Sequence, residues 1–415
     1  MVEAVDNTTS NATACVPEGF KQTEVGVIPV DWEVRTLGDV GDVKMCKRIF
    51  SHQTQERGEI PFFKIGTFGK SPDAFIPKYL FNEYVSRFSY PSLGDILISA
   101  SGTIGRTVIF DGKPAYFQDS NIIWIHNQEY LVSNELLYYV YQIIKYGTEG
   151  GTIQRLYNDI IKTTKFICPP KIEQTAIATA LSDMDALITA QEQLIAKKRA
   201  IKQGAMQELL RPKEGWEVKT ISSIGKPFGG LSGKSKKDFD GGTSPYIPFM
   251  NVMNNPVIDT SYFDYVQIRQ GEQQNQAQKG DLFFNGSSET PEEVGMCSIL
   301  LEDVPSLYLN SFCFGFRFHK NVHEDGLFLA YYFRSNYGRE NMYHLAQGAT
   351  RYNLSKTRFL NLELKLPELT EQTRIANILS DMDTEITQLE TQLDKYRQVK
   401  AGMMQELLTG KKRLV

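Results

Sequence analysis

The stretch Glu173–Asp185, EQTAIATALSDMD, returns as Glu371–Asp383, EQTRIANILSDMD. The offset is 198 residues, and it also carries KQGAMQELL, ending at Leu210, onto KAGMMQELL, ending at Leu408. Aligned without a gap, residues 173–210 and 371–408 agree at 22 of 38 positions. The chain is therefore a tandem duplication, in which one segment is held nearly constant while everything between the copies diverges.

The constant segment reads as a helix. Its first copy places apolar residues at Ile177, Ala180, Leu181, Met184, Leu187, Ile188, Leu194, Ile195, Ile201, Ala205 and Leu209. The second copy keeps the stripe from Ile375 through Leu379, Met382, Ile386, Leu393 and Met403 to Leu407. Steps of three and four over nearly forty residues predict a long amphipathic or coiled-coil helix, spanning roughly 60 Å at ~1.5 Å per residue. Pro169 and Pro367 end a strand and open each helix, with Thr370, Glu371 and Thr373 expected at the second N-cap. Gly204 and Gly402 sit at matching helical positions, where a glycine costs about 1 kcal/mol relative to alanine. Close backbone approach is the expected reason. Two such helices in one chain are expected to pack antiparallel and hold two unlike domains at opposite ends of a rod.

Each half opens alike, with WEVRTLGDVG at Trp32 and WEVKTISSIG at Trp216. Runs such as DILISA from Asp95, RTVIF from Arg106 and SNIIWIH from Ser120 predict strands, as do DLFFN from Asp281 and CSILL from Cys297. SFCFGFRFH from Ser311 alternates as if one face were buried. ELLYYVYQIIKYG from Glu135 and LFLAYYFRSNYGREN from Leu327 predict helices. The expected fold class is α+β, with two α/β domains separated by two long antiparallel coiled-coil helices in an internal pseudo-twofold repeat. The expected boundaries are a loose N-terminal arm over 1–28, a domain over 29–168, a helical region over 169–214, a second domain over 215–366 and a second helical region over 367–415.

Composition bounds the function. With 415 residues, 41% hydrophobic and 23% charged, each half can bury a core. No apolar run is long enough to span a bilayer, and MVEAVDNTTSNATACVPEGF lacks the basic flank and apolar stretch of a signal peptide, so a cytoplasmic, non-membrane protein is expected. The five cysteines form no Cys-x-x-Cys pair and are expected reduced. A net charge of −4 argues against coating nucleic acid by bulk charge but leaves room for local basic surfaces.

The Pro-x-x-x-Glu-Gln starts at Pro169–Gln174 and Pro367–Gln372, each followed by Leu-Ser-Asp-Met-Asp, resemble the conserved regions of specificity subunits of type I restriction-modification enzymes. TEVGVIPVDWEV from Thr23 is similar to that family's entry into its first domain. The resemblance covers the whole architecture and implies a non-catalytic DNA reader. Each variable domain would recognise one part of a bipartite double-stranded target. The helices would set the spacer and dock two modification (methyltransferase) subunits, and restriction subunits would join the assembled complex. No cofactor is expected on this chain; S-adenosylmethionine and ATP would belong to the partners.

Reading bases requires donors and acceptors on loops, with cations on phosphates. In the first domain the candidates are Lys44, Lys47, Arg48 and His52 within KMCKRIFSHQ, Lys70 ending IGTFGK, Ser101, Thr103 and Arg106 within SASGTIGR, and then Gln154, Arg155 and Asn158. A plain hairpin turn and ordinary surface polarity are the bland alternatives. In the second domain they are Lys234, Lys236, Lys237, Asn251, Asn285, Ser287, Arg351, Tyr352 and Asn353. The loop NGSSETPEEVG from Asn285 is acidic, with Glu289, Glu292 and Glu293 able either to accept from cytosine or to serve structure. The basic C-terminus, Lys411, Lys412 and Arg413, reads as a third cluster or a solvated face.

Enzymatic readings are weaker. The one Pro-Pro, at Pro169 and Pro170, lacks the Asn/Asp and aromatic neighbours of an adenine methyltransferase. FGGLSGKS carries Phe228 where a phosphate loop needs glycine. Asp73, Asp111 and Lys113 imitate a nuclease site, but Asp-Gly-Lys-Pro reads as a hairpin turn. His319 and His323 have a zinc spacing but lie on a loop. A coiled-coil interaction scaffold without DNA readout is the alternative from another class.

Overall fold

The computed structural model describes residues 16–147, 155–348 and 350–414. The chain divides into two compact units, one made of Met1–Gln191 with Gln392–Val415 and the other of Glu192–Thr391. Each unit therefore owns one globular domain, the first half of the helix that follows it and the last half of the other helix.

In the first unit, strand Glu33–Thr36 pairs antiparallel with Lys165–Cys168, so the segment beginning at Trp32 is closed by the strand that leads into the helix. A four-stranded sheet runs in the order Val43–Met45, Ile122–Ile125, Ile96–Ser99, Thr107–Ile109, and a three-stranded sheet in the order Phe75–Ile76, Ile60–Phe63, Tyr116–Phe117. The two central strands are buried on both faces. Ile96, Ile98, Ile123 and Ile125 enter one core with helix Asn134–Ile143 and the long-helix residues Ile177, Leu181, Met404 and Leu407. Leu97, Ile122 and Trp124 enter another with Phe68 and Tyr116. The described part of the expected loose arm is ordered instead: Phe20–Thr23 and Gly26–Pro29 form a hairpin, and Ile28 is fully buried in the first core.

The second unit repeats the plan. Glu217–Thr220 pairs with Glu363–Leu366, and a four-stranded sheet runs Gly225–Gly229, Cys313–Phe318, Leu282–Asn285, Cys297–Ile299. A three-stranded sheet runs Asp264–Val266, Ser244–Ile247, Tyr308–Leu309. Two expectations need correction here. Cys313, Phe314, Gly315 and Phe316 are all buried, because their strand lies inside the sheet with packing on both faces, and a Cβ on Gly315 would meet the Phe228 ring at 2.0 Å. The run from Leu327 is two helices, Gly326–Arg334 and Asn336–Tyr343; extended Ser335 divides them and caps the second by accepting from the Gly338 N–H.

The long helices are Lys171–Leu209 and Leu369–Leu407, 39 residues each. The second starts before Thr370, which is thus inside the helix rather than at its cap. In the second unit Lys198 pairs with Glu385 at 2.6 Å and Lys202 with Asp383, rising numbers meeting falling ones, so these helix halves run antiparallel. In the first unit Lys400 pairs with Asp185 at 2.6 Å. Beyond the adjoining backbone of its own helix, a Cβ built on Gly204 or Gly402 meets nothing within 4 Å among the described residues, so the close approach expected at these glycines is not seen there.

The repeated residues explain themselves at the junctions. Buried Gln174 accepts from the Ser133 N–H at 2.9 Å and donates to the Pro169 carbonyl at 2.9 Å, tying the helix start to the N-cap of Asn134–Ile143. Gln372 repeats this with the Asp325 N–H at 2.9 Å and the Pro367 carbonyl at 2.8 Å. Asp185 accepts from the Tyr139 hydroxyl at 2.9 Å and pairs with Lys400, whose ammonium lies 5.5 Å from the Tyr139 ring centre. Asp383, Tyr331 and Lys202 form the same clamp in the second unit. One tie is not repeated. Arg413 grips Asp31 with two hydrogen bonds, of 2.9 and 2.7 Å, and also pairs with buried Glu173, which accepts from the Trp32 indole at 3.2 Å. Arg413 is thus committed to structure, whereas Glu371 in the second copy pairs locally with Arg374.

Gln174→Ala and Gln372→Ala should each destabilise their own unit by about 1–3 kcal/mol, the cost of leaving buried backbone groups unpaired. Hydrogen exchange resolved by unit checks this: Gln372→Ala should speed exchange around Asp325–Arg334 and leave Asn134–Ile143 protected.

Candidate nucleic-acid interface

In the first unit four loops converge. Arg48 pairs with Asp119 at 2.8 Å, and Ser101 donates to the Asn121 side chain at 2.8 Å. Arg155 bridges to Ser101 through the backbone and donates to the Ser120 carbonyl at 3.1 Å, where Ser120 has the unusual φ of 55°. Arg106 donates to the Phe68 carbonyl at 2.9 Å, binding its loop to the one that ends at Lys70. Lys70 and Thr103 are exposed, as is His52, which stacks on Phe50 at 5.8 Å. Lys47 lies over the Phe88 ring at 5.2 Å, and Lys44 sits in the edge strand opposite Trp124. Asn158 begins the short helix Asn158–Thr163, and Gln154 lies outside the described residues. Sequence reasoning missed Asp119–Asn121, whose only signal was a polar turn between two strand-like runs.

In the second unit the candidates divide. Lys236 and Lys237 are exposed on the turn Lys236–Phe239. Lys234 is not available to phosphate: its side chain is 6% exposed and paired to Glu272 at 2.5 Å. That ion pair, helped by the Arg269 N–H and Gln274, holds the Glu272 carboxyl down at about 2. The Ser235 backbone and hydroxyl, with Arg269, likewise hold Asp238 at about 2. Asn251 is fully buried, donating to the Asp259 and Tyr262 carbonyls at 2.9 and 2.8 Å, and is a framework residue rather than a reader. Asn285 is also fully buried, with its amide on the Glu293 carbonyl at 2.8 Å. Ser287 is buried in a short strand opposite Asn353, its hydroxyl without a hydrogen-bond partner among the described residues, so it offers DNA no accessible surface. Glu293 accepts from the Ser288 hydroxyl at 2.8 Å, a structural role in the acidic loop. Sequence pattern hid the burial of Lys234, because a polar residue in a loop string looks the same whether it faces solvent or ties the loop down; Asn251 and Asn285 instead sit in a helix and a strand beside apolar residues.

Asn353 holds the place that Arg155 has in the first unit, paired with Ser287 as Arg155 is with Ser101, and Arg351 and Tyr352 come just before it. Leu354 N–H donates to the Gly286 carbonyl at 2.9 Å just as Leu156 N–H donates to the Ala100 carbonyl at 2.9 Å. Both units therefore bring the segment before the last short helix against the loop that follows an inner strand. Arg351 is exposed and lies 5.0 Å from the centre of the half-exposed Phe312 ring, an aromatic the sequence did not single out.

The model of the type I restriction modification DNA specificity domain matches the chain twice, over residues 29–198 and 213–396. The chain belongs to this family. Being built of two such domains, it is a type I restriction-modification DNA specificity subunit. A Haemophilus influenzae protein described as a putative type I restriction enzyme specificity subunit is 61% identical over 156 residues, which span 37% of this chain and 40% of that protein. The Methanocaldococcus jannaschii putative MjaX specificity subunit is 26% identical over 96% of this chain and 97% of its own length. A crystal structure of an S subunit of a type I restriction-modification system from M. genitalium shares the fold, with a TM-score of 0.55 at 15% identity, covering 91% of this chain and 96% of that one. The specificity family thus accounts for the repeated helices, and the α+β repeat expected from them stands. Among the described residues no helix is long and apolar enough to cross a membrane.

The Glu272 carboxyl is depressed from its ordinary 4.5, so its contribution is complete above that value and is lost as pH falls from 4.5 towards 2. Acid unfolding followed from pH 6 to 2 should therefore be less steep in that window for Glu272→Gln than for the native chain. Asn251→Ala should lower thermal stability by about 1–3 kcal/mol through its orphaned backbone partners, leaving sequence choice intact, whereas Lys236→Ala with Lys237→Ala should weaken DNA binding without changing the melting temperature.

Proposed function

We propose that this specificity subunit reads a bipartite double-stranded DNA target, one part with each recognition domain, and has no catalytic role of its own. Two modification subunits would dock on the helical regions, restriction subunits would join through the assembled complex, and the work would be done in the cytoplasm. The observation that carries the reading is the contrast inside the repeat. Gln174 and Gln372, and the two Tyr-Asp-Lys clamps, keep one framework in both units. The loops set on that framework differ in length, charge and internal ties.

A second feature supports docking of one partner twice. Asp183, Thr189, Lys197 and Gly204 are exposed, and each is matched by an identical exposed residue 198 positions on. Packing inside the chain does not require that identity. The helical residues between the domains, ~1.5 Å each, are the quantity that would set the gap between the two half-sites.

Co-expression with its modification subunits in a methylation-free host, followed by base-resolution mapping of methylated adenines, tests the reading. Two short defined blocks with a fixed gap are expected. A continuous motif would overturn the two-domain reader, and a soluble assembled complex without methylation would favour the interaction scaffold. Gly204→Leu with Gly402→Leu should keep the fold but reduce capture of modification subunits, measured by light scattering of the assembled complex.

A further inference from the structure

The arginines of the two loop clusters differ in what they have left to give. Arg48 spends its Nε on Asp119, Arg106 an Nη on the Phe68 carbonyl, and Arg155 an Nη on the Ser120 carbonyl. Arg351 makes no hydrogen bond or ion pair among the described residues, so all five guanidinium N–H groups remain uncommitted. It is nonetheless held in place. Its guanidinium rests on Phe312, and the backbone of Phe312 is fixed from both sides, its N–H donating to the Asn310 side chain at 2.8 Å and its carbonyl accepting from the Gly286 N–H at 2.8 Å. The Phe312 ring is 51% exposed, so its position is not explained by core packing.

An uncommitted guanidinium already ordered on an aromatic face loses little further side-chain entropy when it binds, and its planar fork matches the O6 and N7 acceptors of guanine in the major groove. A lysine at the same place would offer only a point charge. We propose that Arg351, seated on Phe312, reads a guanine in the half-site recognised by the second domain. This rests on the DNA-reading function proposed above and adds the base and the residue. Phe312 is a positioning residue that acts through Arg351.

The test is the methylated motif produced by the full chain co-expressed with its modification subunits, comparing the native chain with Arg351→Ala, Arg351→Gln and Phe312→Leu. In the native chain the block read by the second domain should contain a guanine. Arg351→Ala should reduce discrimination at that one position by roughly tenfold or more, the range of a lost bidentate base contact, and leave the other block unchanged. Arg351→Gln should move the preference at the same position towards adenine, and Phe312→Leu should relax it less than Arg351→Ala does. Lower methylation with an unaltered motif in a folded Arg351→Ala complex would make Arg351 a phosphate contact and overturn the assignment, as would an unaltered motif at full methylation. If Arg351→Ala does not assemble, an unaltered motif from Arg351→Gln overturns it equally. A native chain that yields no split motif defeats the DNA-reading function itself, a different result from a split motif that ignores position 351.

Discussion

A buried amide must have its donors and acceptor satisfied, and Gln174 finds its partners only where three segments meet: the strand end at Pro169, the cap of helix Asn134–Ile143 and the start of the long helix. Gln372 sets the same condition around Pro367 and Asp325. An uncompensated amide there would cost more than most surface contacts supply, so the direction in which each long helix leaves its domain is fixed by one side chain. The Tyr-Asp-Lys clamps add a second constraint three turns further along. Each places both oxygens of one aspartate between a tyrosine of the globular domain and a lysine of the other helix.

With the framework held by so few residues, the remaining surface of each domain is free to diverge. The two units use this freedom differently. In the first, the arginines near Ser101 are engaged with Asp119 and with loop carbonyls, which ties four loops into one surface. In the second, the corresponding loop is lengthened, fastened by Asn285 and Glu293, and bordered by an arginine that is stacked rather than hydrogen-bonded. A recognition domain that must present different donors in different orders is served by a scaffold whose own requirements lie elsewhere.

The polar residues singled out from sequence show where such reading stops. Lys236, Lys237, Arg351 and Tyr352 lie on turns or at a hairpin end, as a loop reading expects. Lys234, Asn251, Asn285 and Ser287 were singled out on the same ground, yet they are buried or paired inside the domain. Asn251 and Asn285 have apolar neighbours, Met250 and Val252 for one and Phe283 and Phe284 for the other, which already mark them off, whereas nothing local to Lys234 announces the Glu272 that pairs with it 38 residues later.

The sequence by itself determined the duplication, the two long helices, the strand character of the domains and the family, since all of these are written in periodicity and in identity at a fixed offset. Only the tertiary structure decided which identities serve packing, which loops meet and which cations remain uncommitted. The physical reason is range: helix periodicity is a property of neighbours three and four residues apart, whereas the partners of Gln174, Asp185, Arg155 and Arg351 are brought to them by sheets and helices that close only when the whole domain has folded.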